Sequence, residues 1–254
     1  MLTVPEEAVA PLLGWYGANK RSLPWRDNPT PYRVWISEIM LQQTRVEAVK
    51  PYYRRFMAEL PDVESLAAVD DDRLMKLWEG LGYYSRARNL KKAARLVVDE
   101  YGGVFPHSRG ELLKLPGVGD YTAGAVASIA MNLPEPAVDG NVLRVVSRLT
   151  GSREDIAKPQ TKQAFSDALR KIYPPGRCGD FTQALMELGA TVCLPNGEPM
   201  CLVCPWRGLC AACREGSTDE IPVKAAKKAR SIEEKTVFLL RCGEKAAFRR
   251  RPRA

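Results

Sequence analysis

The sequence has a single histidine, no internal repeat and no long apolar run. No stretch approaches the roughly 20 apolar residues that a membrane span requires, which argues against a membrane-spanning chain. Glu6 and Glu7 lie where a secretory signal would be basic and then apolar, so we expect a cytoplasmic location. The sequence identifies no partner for the one histidine, His107, and we assign it no role.

The body of the chain also lacks a net charge. The whole sequence carries +8, but 11 Lys and Arg residues stand against 3 Asp and Glu residues from Lys224 to the end. That segment accounts for the excess, because 27 basic and 27 acidic residues cancel in the remainder. If the body binds nucleic acid, it must use local basic patches, backbone amides and inserted side chains rather than its overall charge.

Most of the chain instead has helical periodicity. With 254 residues, 45% of them hydrophobic, it can bury a large core, which we expect to be split into two lobes. The predicted fold class is all-α. Apolar residues recur at helical spacing in 34–41, 74–81, 90–98, 123–131 and 142–149.

The composition changes after residue 214. Residues 215–235 are polar and rich in Lys and Ala, as in a linker. Residues 236–240 have the pattern of a β-strand, with 246–248 as its partner. Because a lone two-stranded hairpin is marginally stable in water, we expect residues 236–254 to be the incomplete start of a C-terminal domain.

Five of the seven cysteines fall between Cys193 and Cys213. Disulfide frameworks are rare in cytoplasmic proteins, so this clustering indicates a metal site. Cys178 and Cys242 stand alone and are interpreted as structural.

A glycine-rich turn, Leu115-Pro116-Gly117-Val118-Gly119, precedes a helix that begins near Tyr121. Gly117 and Gly119 flank Val118 and let the backbone approach a partner closely, while N–H groups of the turn and helix can bind a phosphate. We interpret the segment as a helix–hairpin–helix. An ordinary glycine-rich turn between two helices is the alternative.

Further motifs carry a resemblance to a known family. The hairpin followed by Val138-Asp139-Gly140-Asn141-Val142 resembles the helix–hairpin–helix glycosylase superfamily. Other segments narrow the similarity to the MutY family of adenine DNA glycosylases, over about residues 5–215. These segments are Leu23-Pro24-Trp25-Arg26, Pro31-Tyr32 with Val34-Trp35, Ser37-Glu38-Ile39-Met40-Leu41-Gln42-Gln43-Thr44 and Gly82-Tyr83-Tyr84-Ser85-Arg86-Ala87-Arg88.

The resemblance implies a two-lobed catalytic body over residues 1–214. A six-helix-type lobe would span roughly 30–135, a second lobe 5–29 and 136–192, and an iron–sulfur loop 193–213. It implies a monomer that removes adenine paired with 8-oxoguanine or guanine in double-stranded DNA. In the family a C-terminal domain helps to recognise 8-oxoguanine, so we expect this chain to discriminate poorly between the two opposing bases.

Glu38 is the candidate general acid. Its helical neighbours include Trp35 and Leu41, so its carboxyl group faces apolar surroundings, and desolvation should raise its pKa. The resemblance implies that it protonates adenine at N7, which makes the base a better leaving group. A solvated helix glutamate is the alternative interpretation.

Asp139, Tyr121 and Asn141 complete the candidate catalytic set. Asp139 precedes a helix that it can cap, and capping would keep it ionised to stabilise an oxocarbenium ion at C1′. Superfamily members that also cut the strand carry a lysine where this chain has Tyr121, so the resemblance implies a monofunctional enzyme that uses water. Asn141 resembles a residue that contacts the reacting site.

Base removal requires extrusion of the nucleotide and insertion of side chains into the gap. Most of the candidate DNA-binding residues are assigned through the family resemblance. The alternative interpretation is that they are ordinary solvated or core residues. The candidate DNA-binding residues are Trp25, Arg26, Gln42, Gln43, Thr44, Leu81, Tyr83, Arg86, Arg88, Gly117, Val118 and Gly119.

The cysteine spacing leaves two metals open. Cys193-x7-Cys201-x2-Cys204-x5-Cys210 resembles the family's [4Fe-4S] ligands, with seven residues where the family has six in the first gap. Cys213 creates a competing set, because four cysteines from Cys201 to Cys213 could hold tetrahedral zinc. Either metal would mainly brace a loop.

Two other functions stay open. A pyrimidine-directed glycosylase of the same superfamily is disfavoured by Tyr121 and by the segments around Trp25, Glu38 and Gln42. A non-catalytic iron–sulfur protein that binds DNA is disfavoured by the presence of both Glu38 and Asp139.

Overall fold

The computed structural model describes residues 2–225, residue 234 and residues 241–247. The chain divides into two compact units, Met1–Lys224 and Ala225–Ala254. In the second unit, β1 (Arg241–Cys242) pairs antiparallel with β2 (Lys245–Ala246). The strand predicted at 236–240 lies outside the described residues, as do residue 248 and the chain end.

The described part of the first unit is helical, which confirms the predicted all-α class. None of its helices has the length and apolar character needed to cross a bilayer. The helices are α1 (Val9–Asn19), α2 (Pro31–Leu41), α3 (Val46–Glu59), α4 (Val63–Ala68), α5 (Asp71–Trp78), α6 (Ser85–Tyr101), α7 (Arg109–Leu112), α8 (Asp120–Ala125), α9 (Gly140–Thr150), α10 (Pro159–Arg170), α11 (Cys178–Thr191) and α12 (Ala211–Glu215). Short 3₁₀ turns lie at Glu6–Ala8 and Cys201–Val203, and a π-helical turn, Val126–Ala130, continues α8.

The helix boundaries follow from local chemistry. Thr30 accepts the backbone N–H of Arg33, and Pro31 occupies the first turn, so α2 begins there. Asp139 caps α9 in the same way. At the other end, Gly151 adopts the left-handed conformation that stops α9, with φ of 68°.

Two hydrophobic clusters form the core of the first unit. One is built by α2 to α8, and the other by α1, α9, α10 and α11 together with Trp206. The first contains Leu23 and Trp25, which the sequence analysis predicted for the other lobe. The reason is that Trp25 packs edge-on against Tyr53 of α3, with 5.6 Å between ring centroids. The exact lobe boundaries stay a prediction.

Close backbone approaches hold the elements around α8. A Cβ on Gly124 would collide with the backbone carbonyl of Pro136, which leads towards α9. A Cβ on Gly179 of α11 would lie 2.9 Å from the Ile129 carbonyl oxygen. These two glycines therefore let α8, the segment before α9 and α11 converge at one place.

Candidate active site

A cavity of about 230 Å³ lies among α2, α8, α11 and the start of α9. Four side chains that the sequence analysis did not single out, Arg21, Gln183, Met186 and Glu187, contribute to its lining. The predicted site residues that line it are Trp25, Arg26, Glu38, Thr44, Tyr121, Asp139 and Asn141.

Glu38 is the buried acid of this cavity. It lies on α2 with 6% of its surface exposed. Burial raises the pKa of Glu38 to about 7, and the nearby Asp139 acts in the same direction, although a hydrogen bond from Tyr121 opposes the rise. This agrees with the expectation from its apolar neighbours. The group is thus partly protonated near neutral pH and can act as a proton donor there.

Tyr121 connects the hairpin helix to this acid. Its hydroxyl donates to Glu38 Oε2 at 2.7 Å and lies 3.7 Å from Met186 Sδ. Burial, reinforced by the two nearby carboxylates, raises the pKa of Tyr121 well above its usual value, so the phenol stays protonated and remains a donor. The sequence showed only that no lysine stands here; the contact with Glu38 joins residues 83 positions apart and has no sequence signal.

Asp139 sits at the N-terminus of α9 in a chain of hydrogen bonds. Its Oδ1 accepts the Val142 N–H at 2.8 Å, and its Oδ2 accepts from Asn141 Nδ2 at 2.8 Å. Asn141 Oδ1 in turn accepts from Arg144 Nη2 at 2.9 Å. The cap and the amide therefore fix both carboxylate oxygens.

The protonation of Asp139 is set by opposing effects. Burial raises its pKa above the usual range, whereas the hydrogen bonds from Val142 and Asn141 and the charge of Arg144 act to lower it. Capping thus does favour the ionised form, as expected, but desolvation works against it. Arg144 was missed by sequence analysis, although it follows Asn141 by three residues on the same helix face.

An ion-pair cluster forms another wall of the cavity. Glu187 of α11 is 1% exposed and accepts from Arg21 Nε at 2.7 Å and Arg26 Nη2 at 2.8 Å. Burial alone would raise the pKa of Glu187, but these hydrogen bonds lower it to about 2. The sequence signal for Glu187 was the one carboxylate within the apolar run 184–190 of α11.

The predicted DNA contacts fall into exposed and buried groups. Gln43 and Tyr83 are exposed, Tyr83 to 63%, and both adopt the left-handed conformation with φ of 56° and 47°. Arg88 is exposed on α6, while Gln42 is half-buried. Leu81 is buried, with 6% of its surface exposed, and so does not itself project into solvent.

Arg86 needs a correction of its predicted role. It was predicted as one of the DNA-binding residues, but it is buried and its two Nη atoms donate to backbone carbonyl groups. Its spacing from Leu90, Ala93 and Val97 places it on the buried stripe of α6, a signal that was present in the sequence.

The predicted hairpin is formed between α7 and α8. Leu115 accepts the backbone N–H of Val118 at 3.1 Å, and Gly117 has φ of 80°. Val118 is buried whereas Gly117 and Gly119 are exposed, so the two glycines present backbone to the surface. Phosphate binding by this turn stays a prediction.

All four predicted ligand cysteines line one cavity, together with Cys213. Val145, Leu188 and Trp206 cover it, Arg148 Nη1 lies 3.3 Å from Cys193 Sγ, and the Cys210 thiol donates to the Arg148 carbonyl at 3.2 Å. Within the described residues no three His, Cys, Asp or Glu side chains are close enough to hold a single metal ion. Half-buried thiols beside a guanidinium are a suitable donor set for an iron–sulfur cluster.

The helical body, the hairpin before α8 and the capped carboxylate of α9 together define a helix–hairpin–helix base-excision protein. The chain belongs to the HhH-GPD superfamily of base excision DNA repair proteins, whose family profile matches residues 36–171.

Curated relatives narrow the similarity further. The chain is 46% identical over 210 residues to the adenine DNA glycosylase of Mus musculus, which covers 79% of this chain and 41% of the relative. It is 38% identical over 218 residues to the adenine DNA glycosylase of Buchnera aphidicola from Acyrthosiphon pisum, covering 85% and 62%. The predicted resemblance to adenine glycosylases is confirmed, and the chain spans roughly two to three fifths of these relatives.

Solved structures share the fold. A thermostable thymine-DNA glycosylase superposes with a TM-score of 0.74 at 31% identity, covering 82% of this chain and 95% of that one. A non-covalent complex of endonuclease III with DNA gives a TM-score of 0.68 at 26% identity, covering 84% and 99%.

Proposed function

We propose that this chain is a monofunctional DNA glycosylase that extrudes and excises adenine paired with 8-oxoguanine or guanine in double-stranded DNA. The observation that carries the proposal is that the buried Glu38, with a pKa near 7, and Asp139 line the same cavity. The similarity to curated adenine DNA glycosylases supports the choice of base.

Glu38 would act as the general acid. Adenine leaves poorly as an anion, so a proton delivered to a ring nitrogen, N7 by the family resemblance, lowers the barrier to its departure. Tyr121 donates to Oε2 of Glu38, which leaves Oε1 to carry the acidic proton. Burial keeps a useful fraction of the carboxyl protonated at neutral pH.

Asp139 would stabilise the positive charge that develops on the sugar. When the bond to the base lengthens, an oxocarbenium ion forms at C1′, and a fixed carboxylate lowers its energy. Val142 and Asn141 occupy the two oxygens through hydrogen bonds, so the group needs no reorientation during the reaction. Water then attacks C1′.

The monofunctional character is supported by the residues of the cavity. A glycosylase that also cleaves the strand needs an amine to form a Schiff base with the sugar. Tyr121 is the hairpin residue that reaches Glu38, and the described residues that line the cavity include no lysine.

Extrusion of the base would involve the exposed segments beside the cavity. Gln42, Gln43 and Thr44 follow α2 directly, and Tyr83 is the most exposed large side chain of the turn before α6. Aromatic and amide side chains of this kind can fill the gap that a flipped nucleotide leaves. Trp25 and Arg26 line the cavity that would receive the base. Arg88 would contact the DNA backbone.

We propose that Cys193, Cys201, Cys204 and Cys210 hold a [4Fe-4S] cluster. Their common cavity, its apolar cover and the neighbouring Arg148 support this set. The cluster would supply structural bracing of residues 193–213 rather than chemistry in the reaction. Iron analysis together with absorbance near about 400 nm distinguishes it from zinc bound through Cys213.

A duplex with one A·8-oxoguanine pair provides the test. The purified chain is expected to release adenine and to leave an abasic site that breaks only after alkali, and Glu38→Gln should form that product about 10²- to 10⁴-fold more slowly. Strand breaks without alkali would contradict the monofunctional assignment. An intact duplex after alkali would contradict the glycosylase proposal and favour a protein that binds DNA without catalysis.

A thymine-directed activity is the second candidate, because the chain resembles a thymine-DNA glycosylase at 31% identity. A G·T duplex run beside the A·8-oxoguanine duplex separates the two. Excision of thymine alone would show that thymine, and not adenine, is the substrate. Excision of adenine alone would support the main proposal.

A further inference from the structure

The buried guanidinium of Arg86 bridges two surface segments that are far apart in sequence. Its Nη1 donates to the carbonyl oxygens of Ile39, Met40 and Gln42 at 2.8, 3.1 and 2.7 Å. Its Nη2 donates to the carbonyl oxygens of Leu81 and Gly82 at 3.0 and 3.2 Å. One side chain therefore donates hydrogen bonds both to backbone carbonyl groups at the end of α2 and to those of the turn before α6.

Each bridged segment carries an exposed residue in a strained conformation. Gln43 follows the first set of carbonyls with φ of 56°, and Tyr83 follows the second with φ of 47°. A non-glycine residue adopts this left-handed conformation at a cost in free energy and keeps it where the surroundings impose it. Two of the carbonyl groups that Arg86 holds, those of Gln42 and Gly82, directly precede these residues.

The environment of Arg86 keeps its guanidinium in place. The carbon at its centre lies 5.4 Å from the ring centroid of Trp78 and 5.7 Å from that of Tyr83. Trp78 Nε1 also donates to the Gly82 carbonyl at 3.1 Å, so the ring and the cation hold the same turn. A planar fork with five donors can serve carbonyls from two directions, whereas a lysine ammonium cannot.

We infer that Arg86 is a positioning residue that locks Gln43 and Tyr83 into one rigid wedge, so that the two segments enter the DNA duplex together. The inference rests on the proposed base extrusion. Arg86 would not touch the nucleotide itself, and its effect would pass through the backbone of both segments. The same contacts tie the wedge to α2, the helix that carries Glu38.

The test is Arg86→Lys, which retains the charge, with Arg86→Gln as a second variant. Arg55→Lys is the matched control, because Arg55 also donates to a helix-end carbonyl, that of Leu77 at 3.2 Å, but contacts neither segment of the wedge. Single-turnover excision is measured on two duplexes. In one the adenine is paired with 8-oxoguanine, and in the other it lies opposite an abasic-site analogue, so that no base pair has to be opened. Thermal unfolding is recorded for each variant.

For Arg86→Lys we expect a loss of rate on the order of 10- to 100-fold with the paired adenine, because a small misplacement of a positioning group costs that much. With the unpaired adenine the rate should stay close to that of the wild type. Arg55→Lys should match the wild type on both duplexes. Equal losses on the two duplexes, no loss on either, or failure of both Arg86 variants to fold would overturn the inference.

A second measurement separates this inference from the proposed function. The fluorescence of 2-aminopurine at the target position of a duplex increases when this base leaves the stack, and the increase requires no excision. Arg86→Lys should bind this duplex with little increase in fluorescence, while Glu38→Gln should give the same increase as the wild type. If the wild type excises no adenine, the proposed function fails, but the fluorescence still tests the assignment of Arg86: an undiminished increase with Arg86→Lys would refute it.

Discussion

Glu38 shows how burial can prepare a side chain for acid chemistry. Its pKa of about 7 results mainly from desolvation, and the hydrogen bond from Tyr121 keeps the value from rising further. A general acid is most effective when its pKa lies near the working pH, because both the proton and the driving force to transfer it are then available. The rate of excision should therefore fall as the pH rises through about 7.

Replacing Glu38 by Gln tests the acid directly. We expect the single-turnover rate to fall by about 10²- to 10⁴-fold, the usual contribution of a general acid. The folded-state pKa lies above that of an unfolded glutamate, so the wild type loses stability as the pH rises towards and through 7. The variant should gain about 2–3 kcal/mol relative to the wild type between pH 5 and pH 8, measured by urea unfolding. A full rate in the variant would refute the assignment.

Tyr121→Phe should shift the pH profile rather than abolish the reaction. The phenol stabilises the carboxylate form of Glu38, so its removal raises the pKa of that group and keeps the acid protonated to higher pH. We expect the alkaline limb of the rate profile to move up by about one pH unit. Tyr173→Phe, which removes a buried hydroxyl bonded to Thr182 at 2.8 Å, is the control and should leave the profile unchanged. A shift of the limb to lower pH would contradict the geometry.

At the level of the helices, the N-cap of α9 combines a structural role and a proposed chemical role in one residue, Asp139. Asp139 ends the preceding segment, caps the helix through the Val142 N–H and turns its second oxygen towards Asn141. An N-cap contributes about 1 kcal/mol to stability, and asparagine caps about as well as aspartate. The two roles can therefore be separated by choice of substitution.

We expect Asp139→Asn to retain the cap and lose the charge. Its free energy of unfolding should stay within about 0.5 kcal/mol of the wild type, while its excision rate falls by at least about 10²-fold, as for loss of an electrostatic stabiliser. Asp139→Ala should lose the rate and also about 1 kcal/mol of stability. Chemical denaturation and single-turnover assays on the three proteins would show this pattern. An active Asp139→Asn variant would leave Asp139 with the capping role alone.

Helical spacing predicted these elements well, because one face of each helix meets a core. The apolar pattern at 142–149 lies within α9, and that at 123–131 covers the second half of α8 and the turn after it. The π-helical geometry of Val126–Ala130 has no counterpart in the spacing. Arg86 was predicted as a DNA contact, although its spacing from Leu90 places it on the buried stripe of α6.

On the scale of the whole first unit, sequence analysis brought Glu38, Tyr121 and Asp139 together through the family resemblance, not through spacing. Pairs such as Arg21 with Glu187 are separated by 166 positions, and nothing local indicates which distant arginine a buried carboxylate will meet. That pair joins the segment before α2 to α11, whose apolar face belongs to the second hydrophobic cluster. The ion cluster thus helps to hold both sides of the cavity.

Glu187→Gln tests this connection. The substitution leaves Arg21 and Arg26 without a carboxylate at a buried site, so we expect the free energy of unfolding to fall by about 2–4 kcal/mol at pH 7. Because the pKa of Glu187 is lowered to about 2, its contribution is present above the usual carboxyl range and is lost as the pH falls through about 2. Glu59→Gln is the matched control, since its pair with Arg73 is exposed and should contribute less than about 1 kcal/mol. Urea unfolding at pH 7 that gave equal losses for the two variants would show that Glu187 does not join the two sides of the cavity.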